Sequence, residues 1–243
     1  MKILIGIDDT DNLESRGTGF RSRELGKQLT EAGIGNLLGI TRHQLLFDAR
    51  IPYTSHNSSA CLEIESNRIQ DLYPFCADYL IRESAEGSDA GLCIAPYEHV
   101  SELIIQWGQR AKKEIITQEE ARKIASTENI FLEGYTGTKG GIIGSLAAVG
   151  LRKAGNDGRF LWIKGMRELS GVFSIAEIKE KTGVHEIMTK NQEPLPNEEL
   201  IFLGDWWRPV LKNKKIIIFA EQINETHYGW QVVSKDYIKS ISN

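Results

Sequence analysis

The stretch KILIGIDDTDN, residues 2–12, places a short isoleucine-rich run directly before a cluster of acidic residues. A β-branched run of this length is typical of a central, buried strand. We therefore predict a strand over Lys2 to Ile7 and a loop from Asp8 to Gly19. Ligands of open sheets usually bind beyond the ends of strands, so this loop is the first candidate for a functional site.

Three carboxylates lie within four residues of this loop, at Asp8, Asp9 and Asp11. Side chains that repel one another at this spacing need a compensating charge, which Mg²⁺ supplies while it also binds phosphate oxygens. The three aspartates are therefore the candidate metal ligands and candidate catalytic residues. An ordinary turn is the alternative, because Asp and Asn favour turns by bonding their own backbone.

A first glycine-rich loop follows, Arg16-Gly17-Thr18-Gly19, and it leads into a predicted helix. Backbone N–H groups at a helix N-terminus can bind a phosphate, with Arg16, Gly17 and Gly19 as candidate nucleotide-binding residues. Thr18 can cap the helix, orient a phosphate or accept one. The alternative for the loop is a tight turn that needs glycine.

A second glycine-rich loop, residues 134–144, again joins a strand to a helix. It lacks the Gly-Lys-Ser/Thr of a Walker A motif, but a lysine among glycines suits a phosphate. Its candidate nucleotide-binding residues are Gly137, Lys139, Gly140 and Gly141. A tight turn is again the alternative when this loop is considered alone.

Two further segments carry polar or aromatic side chains. Asn57 and Ser58, in the polar connection before a predicted strand, are candidate nucleotide-binding residues, with an ordinary Asn-Ser turn as the alternative. Trp206 and Trp207 can stack on a base, but packing in a core or against a partner is the commoner role of such residues.

The composition is that of a soluble globular protein, with 41% hydrophobic and 26% charged residues in 243. A net charge of −4 argues against a free-standing RNA-binding protein. Cys61, Cys76 and Cys93 show neither disulfide nor zinc-ribbon spacing and are expected to be reduced thiols. The start resembles no signal peptide, and no apolar run approaches about 20 residues, so we expect a cytoplasmic protein without a membrane segment.

Strand-like and helical patterns interleave with uneven spacing, which predicts an α+β, or mixed α/β, fold. Predicted strands are 2–7, 37–47, 60–65, 92–95, 130–133, 160–164, 216–220 and 230–233; predicted helices are 20–32, 68–82, 97–113, 118–126 and 142–153. The proline-containing segment 191–199 is the best linker candidate. We therefore expect a catalytic region over 1–190 and a β-rich segment over 191–243.

Taken in order, four motifs resemble the catalytic region of the archaeal tRNA agmatidine synthetase family. They are IGIDDTDN (5–12), the Gly-Thr loop, RIPYTSHNSSA (50–60) and GTKGGIIGSLAAVG (137–150). The resemblance implies a kinase-like α/β domain with a ferredoxin-like portion, ATP and Mg²⁺ as cofactors, and Asp8, Asp9 and Asp11 at the metal–nucleotide site. It also implies a phosphoryl-accepting threonine, for which Thr18 is the candidate.

The chain departs from that family's pattern in two places. Gly19-Phe20-Arg21 stands where the family has Cys-Thr-Thr, and Ser58-Ser59 replaces a glycine beside Asn57. The family also continues into an OB-fold and a four-cysteine zinc ribbon, so a stand-alone relative of the catalytic region is expected. The leading hypothesis is an ATP- and Mg²⁺-dependent enzyme acting on a small polar substrate. The alternatives are a tRNA-modifying enzyme with a separate RNA-binding partner, and a non-enzymatic nucleotide sensor.

Overall fold

The computed structural model of the protein describes residues 1–53, 56–224 and 228–242. Thr54 and Ser55 of the 50–60 motif lie outside the described residues. Contacts within the chain divide it into two compact units, Met1–Ala154 and Gly155–Asn243.

The first unit is built on an antiparallel sheet with the strand order β5-β4-β1-β3-β2. Its strands are β1 (Lys2–Asp8), β2 (Asn36–Gln44), β3 (Ser58–Glu65), β4 (Gly91–Pro96) and β5 (Phe131–Gly134). Its helices are α1 (Thr18–Glu31), α2 (Ile69–Glu83), α3 (Glu102–Ala111), α4 (Gln118–Thr127) and α5 (Ile142–Ala154). The succession β1-α1-β2-β3-α2-β4 with β1 in the middle is the ferredoxin-like arrangement.

β1 is central because its side chains are apolar on both faces, and Ile3, Leu4, Ile5 and Ile7 are fully buried. On one face Gly6 allows α5 to approach closely, since a Cβ there would lie 2.0 Å from the carbonyl oxygen of Ser145. Helix α1 packs on the opposite face of the sheet. This direct contact between β1 and α5 places the N-terminus of α5 beside the carboxyl end of β1.

The second unit is a mixed sheet with the order β6-β10-β11-β12-β9-β7, and β8 pairs with β11 in parallel. Its strands are β6 (Arg159–Trp162), β7 (Val172–Ser174), β8 (Glu186–Thr189), β9 (Leu200–Phe202), β10 (Val210–Lys212), β11 (Lys215–Gln222) and β12 (Trp230–Val232). Its helices are α6 (Ile175–Thr182) and α7 (Lys235–Ser242). A buried core that includes Phe160, Ile201, Trp207 and Ile218 lies within this unit.

The predicted α+β class is confirmed, and each predicted strand overlaps an observed one. The helix predicted over 97–113 needs correction, because it is interrupted: a 3₁₀ turn at Tyr97–His99 precedes α3. The compact units divide after Ala154, whereas the sequence placed the boundary between the catalytic region and the β-rich segment at 190/191.

The segment 191–199 joins parts of the second unit instead of linking two units. Leu195 donates a backbone hydrogen bond to Ile187 at 2.9 Å, and Ala176 donates one to Asn197 at 3.0 Å. The segment 191–199, with its two prolines and several acidic residues, is therefore an ordered connection within the second unit. Within the described ranges, no helix combines the length and apolar character needed to cross a bilayer.

Candidate active site

The acidic loop lies at one end of the first unit's sheet, where β1 ends and both β3 and β4 begin. Asp8 is paired with Gly91 of β4, and Ile7 with Ala60 of β3. Because β4 runs antiparallel to β1, the residues that precede Gly91 lie beside the acidic loop. The backbone N–H of Asp89 donates to the carbonyl of Asp9 at 3.2 Å. Pairing of the strands thus brings a fourth aspartate to the site.

A cavity of about 260 Å³ opens at this end of the sheet, close to the lower end of ligand pockets at about 300 Å³. We call it the carboxylate cavity, because Asp8, Asp9, Asp11 and Asp89 line it. Eight predicted site residues line it: Asp8, Asp9, Asp11, Thr18, Asn57, Ser58, Gly140 and Gly141. Among the described residues that line it, none is a lysine or an arginine.

Asp8 projects from the last position of β1 towards the first turn of α5. A Cβ on Gly144 would lie only 1.9 Å from its Oδ2 atom, so glycine is required there for the carboxyl group to fit. Burial raises the pKa of Asp8 well above its ordinary 3.8, and the negative charge of Asp9 raises it further. The site therefore favours a cation, or a proton, beside this group.

Asp9 adopts a left-handed backbone conformation, with φ of 54°. Asp and Asn tolerate this region better than other residues with a side chain, which explains an aspartate at the turn. Burial, followed by the charges of Asp89 and Asp11, raises the pKa of Asp9 to about 6. The charges that raise it are all carboxylates, so the loop carries electrostatic repulsion.

Asp11 is directed at the start of α1. Its Oδ1 atom accepts hydrogen bonds from the backbone N–H of Thr18 at 3.1 Å and from the Thr18 hydroxyl at 2.6 Å. The Thr18 hydroxyl in turn accepts from the Thr10 hydroxyl at 3.1 Å. Asp11 therefore caps α1 from outside the helix, and it holds Thr18 in one orientation at the edge of the cavity.

The second glycine-rich loop binds the fourth aspartate. The backbone N–H of Thr138 donates to Asp89 Oδ1, and the N–H of Gly141 donates to the Asp89 carbonyl at 2.8 Å. Gly137, with φ of 49°, lies against the same carboxylate, because a Cβ there would be 2.0 Å from Oδ1. The loop thus positions a carboxylate, and Gly140 and Gly141 line the cavity beside it.

Several predicted nucleotide-binding residues do not line the cavity. Those residues are Arg16, Gly17, Gly19, Gly137 and Lys139. The Arg16 guanidinium stacks on the Phe20 ring at 4.1 Å from its centroid, and Lys139 Nζ faces Glu133 Oε1 at 3.9 Å. Lys139 has a positive φ of 65°, and this turn directs its side chain to β5. The expected role of Lys139 beside a phosphate therefore has no support in this arrangement.

Asp89 is a candidate site residue that was not predicted from the sequence. It stands before a predicted strand, in GSDAG at 87–91, and nothing in its own neighbourhood sets it apart. Its proximity to Asp9 depends on the antiparallel pairing of β4 with β1. Tyr53 and His56 also line the cavity, and the Phe47 ring lies 5.2 Å from Tyr53 in an edge-on arrangement.

The carboxylates of this cavity fit a divalent-cation site in which water and phosphate oxygens complete the coordination, better than a site formed by protein ligands alone. Within the described part of the chain, no group of three or more His, Cys, Asp or Glu side chains is arranged to hold one ion. Asp11 Oδ1 accepts two hydrogen bonds from Thr18, and Asp8, Asp9 and Asp89 are the other aspartates that line the cavity. Mg²⁺ commonly uses one or two carboxylates and completes its shell with water and phosphate oxygens.

Comparisons with known proteins find a relative by sequence and several solved structures of similar fold. No protein-family model matches the chain. An uncharacterized protein of Methanocaldococcus jannaschii is 31% identical over 155 residues, which is 62% of this chain and 50% of that protein. The chain thus spans about half the length of this relative.

Solved structures of similar fold include the agmatidine synthetase TiaS in complex with an isoleucine tRNA and ATP. It has a TM-score of 0.55 and 22% identity, over 62% of this chain and 36% of that one. A tRNA fluorescent labeling enzyme has a TM-score of 0.54 and 23% identity over the same shares. At this identity the likeness shows a shared fold, and this chain covers about a third of each of those proteins.

Proposed function

We propose that the protein is an ATP- and Mg²⁺-dependent enzyme that activates or phosphorylates a small polar substrate in the carboxylate cavity. One observation carries this proposal: Asp8, Asp9, Asp11 and Asp89 converge on one cavity whose described lining contains no lysine or arginine. Such a cavity repels a free polyphosphate. It becomes a polyphosphate site once a divalent cation lies between the carboxylates and the phosphate oxygens.

The position of the cavity supports the same function. The first turns of α1 and α5 both border it, through Thr18 and Gly144. Helix N-termini carry a positive partial charge and free backbone N–H groups, which favour phosphate oxygens. The structures of similar fold include TiaS with ATP and TiaS with AMPCPP and agmatine, which favours ATP as the nucleotide for this chain also.

One or two of the carboxylates of Asp8, Asp9 and Asp89 would hold the metal. When bound, Mg²⁺ would neutralise the charge that develops on phosphate oxygens during transfer. Thr18 remains the candidate phosphoryl acceptor. Its hydroxyl already donates to Asp11 at 2.6 Å, so Asp11 is placed to take the hydroxyl proton if that oxygen attacks a phosphorus atom.

A tRNA-modifying enzyme that works with a separate RNA-binding partner is the second candidate. It is favoured by the fold shared with TiaS, whose solved complexes include tRNA. The two candidates differ in their acceptor, because one modifies a free metabolite and the other a tRNA base. Turnover of ATP in the presence of purified tRNA, with and without a cell extract, distinguishes them.

Calorimetric titration with ATP tests the proposal. The wild-type protein should bind ATP with Mg²⁺ and show at least tenfold weaker binding with EDTA. Asp9→Asn and Asp89→Asn should weaken Mg²⁺-dependent binding at least tenfold. Asp236→Asn is the matched control, because it removes the same charge from a side chain that is 94% exposed on α7. Equal affinity with EDTA and with Mg²⁺ would contradict the proposal, and binding without release of ADP or AMP would identify a sensor.

A further inference from the structure

A second cavity lies entirely within the second unit and has the opposite charge. Its volume is about 280 Å³, and it lies between α7 and the strands β10 and β11. Lys190 and Lys212 line it, and among the described residues of its lining there is no carboxylate. We call it the lysine cavity. A cavity with two ammonium groups and no lining acid favours an anionic ligand.

One of the two ammonium groups is available to a ligand. Lys190 Nζ donates to the Glu221 carboxylate, so its charge is partly balanced by an acid outside the lining. Lys212 Nζ lies 5.9 Å from the centroid of the Phe219 ring, and in the described part of the chain no carboxylate pairs with it. The face of an aromatic ring attracts an ammonium group by a cation–π interaction, but it does not neutralise the positive charge. Lys212 is therefore the main cationic group that an anion in this cavity would meet.

The rest of the lining is mostly polar, with neutral hydrogen-bonding groups beside a small apolar floor. Phe219 is buried, and its ring meets Tyr237 edge-on at 6.1 Å between centroids. Ile241 is 42% exposed on α7 although it borders this cavity. Asn156 and Gln192 contribute amide groups at the rim. An inorganic anion would use the lysines only, whereas a phosphorylated ligand with a sugar and a planar ring would also cover the apolar floor.

From this combination we propose that the lysine cavity binds a nucleoside monophosphate, either free or as the 5′-phosphorylated end of a strand. Lys212 and Lys190 would bind the phosphate, and the small apolar floor at Ile241 and the Tyr237 ring would contact the non-polar part of the nucleoside. Amide groups of Asn156 and Gln192 can donate to and accept from the polar edges of a base or the ribose hydroxyls. This site goes beyond the proposed ATP chemistry, because it lies in the other unit and needs no divalent cation.

The test is a titration of the full-length protein with AMP and CMP in EDTA, where the carboxylate cavity is expected to bind no phosphate. Lys212→Met removes the ammonium group and keeps the apolar stem. Lys181→Met is the matched control: Lys181 Nζ also lies over a phenylalanine ring, 5.4 Å from the Phe173 centroid, but on α6 and outside the lining. Lys212→Met should weaken binding about tenfold to a hundredfold, the range for a charge-assisted contact, and Lys181→Met should leave it unchanged.

Four results would overturn the proposal: no binding of either nucleotide at millimolar concentration, equal effects of the two substitutions, inorganic phosphate binding as tightly as AMP, or binding that requires Mg²⁺. Lys212→Gln, which also removes the ammonium group, serves as a second variant if Lys212→Met does not fold, and it should weaken binding to the same extent. A 5′-phosphorylated trinucleotide is compared with AMP, and the tighter ligand identifies the source of the nucleotide. Binding with EDTA would support this site even if Mg²⁺–ATP binding were absent.

Discussion

Replacement of Asp9 by asparagine should stabilise the protein in the absence of divalent cations while it removes their binding. The carboxyl of Asp9 has its pKa raised from the ordinary 3.8 to about 6, which means that the folded protein disfavours its ionised form. At about 1.4 kcal/mol per pKa unit, the shift corresponds to about 3 kcal/mol. Asp9 is half-buried and water screens part of the repulsion, so we expect a gain of about 1 to 2 kcal/mol.

The sign of the pH dependence follows from the same shift. Between pH of about 4 and 6 the unfolded chain ionises at Asp9 while the folded protein resists ionisation, so the free energy of unfolding falls as pH rises. Above pH of about 6 the penalty is complete and constant. The difference in stability between Asp9→Asn and wild type should therefore grow from pH 4 to about 6 and then level off.

Thermal unfolding of the first unit in EDTA at pH 7.5 measures this gain. For a unit of this size, about 1 to 2 kcal/mol corresponds to a rise in Tm of roughly 2 to 8 °C. Asparagine tolerates the φ of 54° at this position. Asp9→Ala removes the same charge but adds backbone strain of about 1 to 2 kcal/mol, so the alanine variant should gain little stability. An Asp9→Asn protein that melts at or below the wild-type temperature in EDTA would refute the reasoning.

Further predictions concern the rest of the site and the core. Gly144→Ala would place a Cβ 1.9 Å from Asp8 Oδ2, so it should weaken Mg²⁺–ATP binding at least tenfold by calorimetry. Gly229→Ala, where no atom of the described residues lies within 4 Å of the added Cβ, should leave binding unchanged. Thr18→Val should abolish ATP turnover and Thr18→Ser should retain it, measured as ADP or AMP release; turnover in the valine variant would exclude Thr18 as the acceptor. Glu63→Gln breaks the 2.8 Å pair with buried Arg152 and should cost about 3 to 5 kcal/mol in denaturant unfolding. The double variant Glu63→Leu with Arg152→Met should lose less stability than Glu63→Gln, because it leaves no unpaired charge in the core. An equal or larger loss in the double variant would contradict this explanation.

The first unit was the more predictable part because its signals are local. The run of isoleucines predicted β1, and the helix predicted over 118–126 overlaps α4, which begins with a capping box formed by Thr117 and Glu120. The same signal was present at Ser174 and Glu177, with Gly183 as the stop of α6, but this helix was not predicted. Strands of three residues, such as β7 and β9, are too short to show periodicity, so they depend on pairing partners elsewhere in the chain.

The predictable part of the site consists of segments that carry their own local signal. Asp8, Asp9, Asp11 and Thr18 occupy one loop, and all four line the cavity. Asp89 is 80 residues away from Asp9 and joins it through the register of β4 against β1. The sequence predicted that the glycines of the second loop bind a phosphate, which stays a prediction, but it could not show that the N–H of Thr138 donates to the Asp89 carboxylate.

The central claim is that a divalent cation joins the carboxylates of this cavity to a polyphosphate. Crystals grown with Mn²⁺ and a non-hydrolysable ATP analogue test it most directly, because Mn²⁺ is located by its anomalous scattering. We expect one or more ions at about 2 to 2.5 Å from oxygens of Asp8, Asp9 or Asp89, with phosphate oxygens completing the coordination. Nucleotide bound elsewhere, or bound in this cavity with no ion between phosphate and carboxylate, would contradict the account.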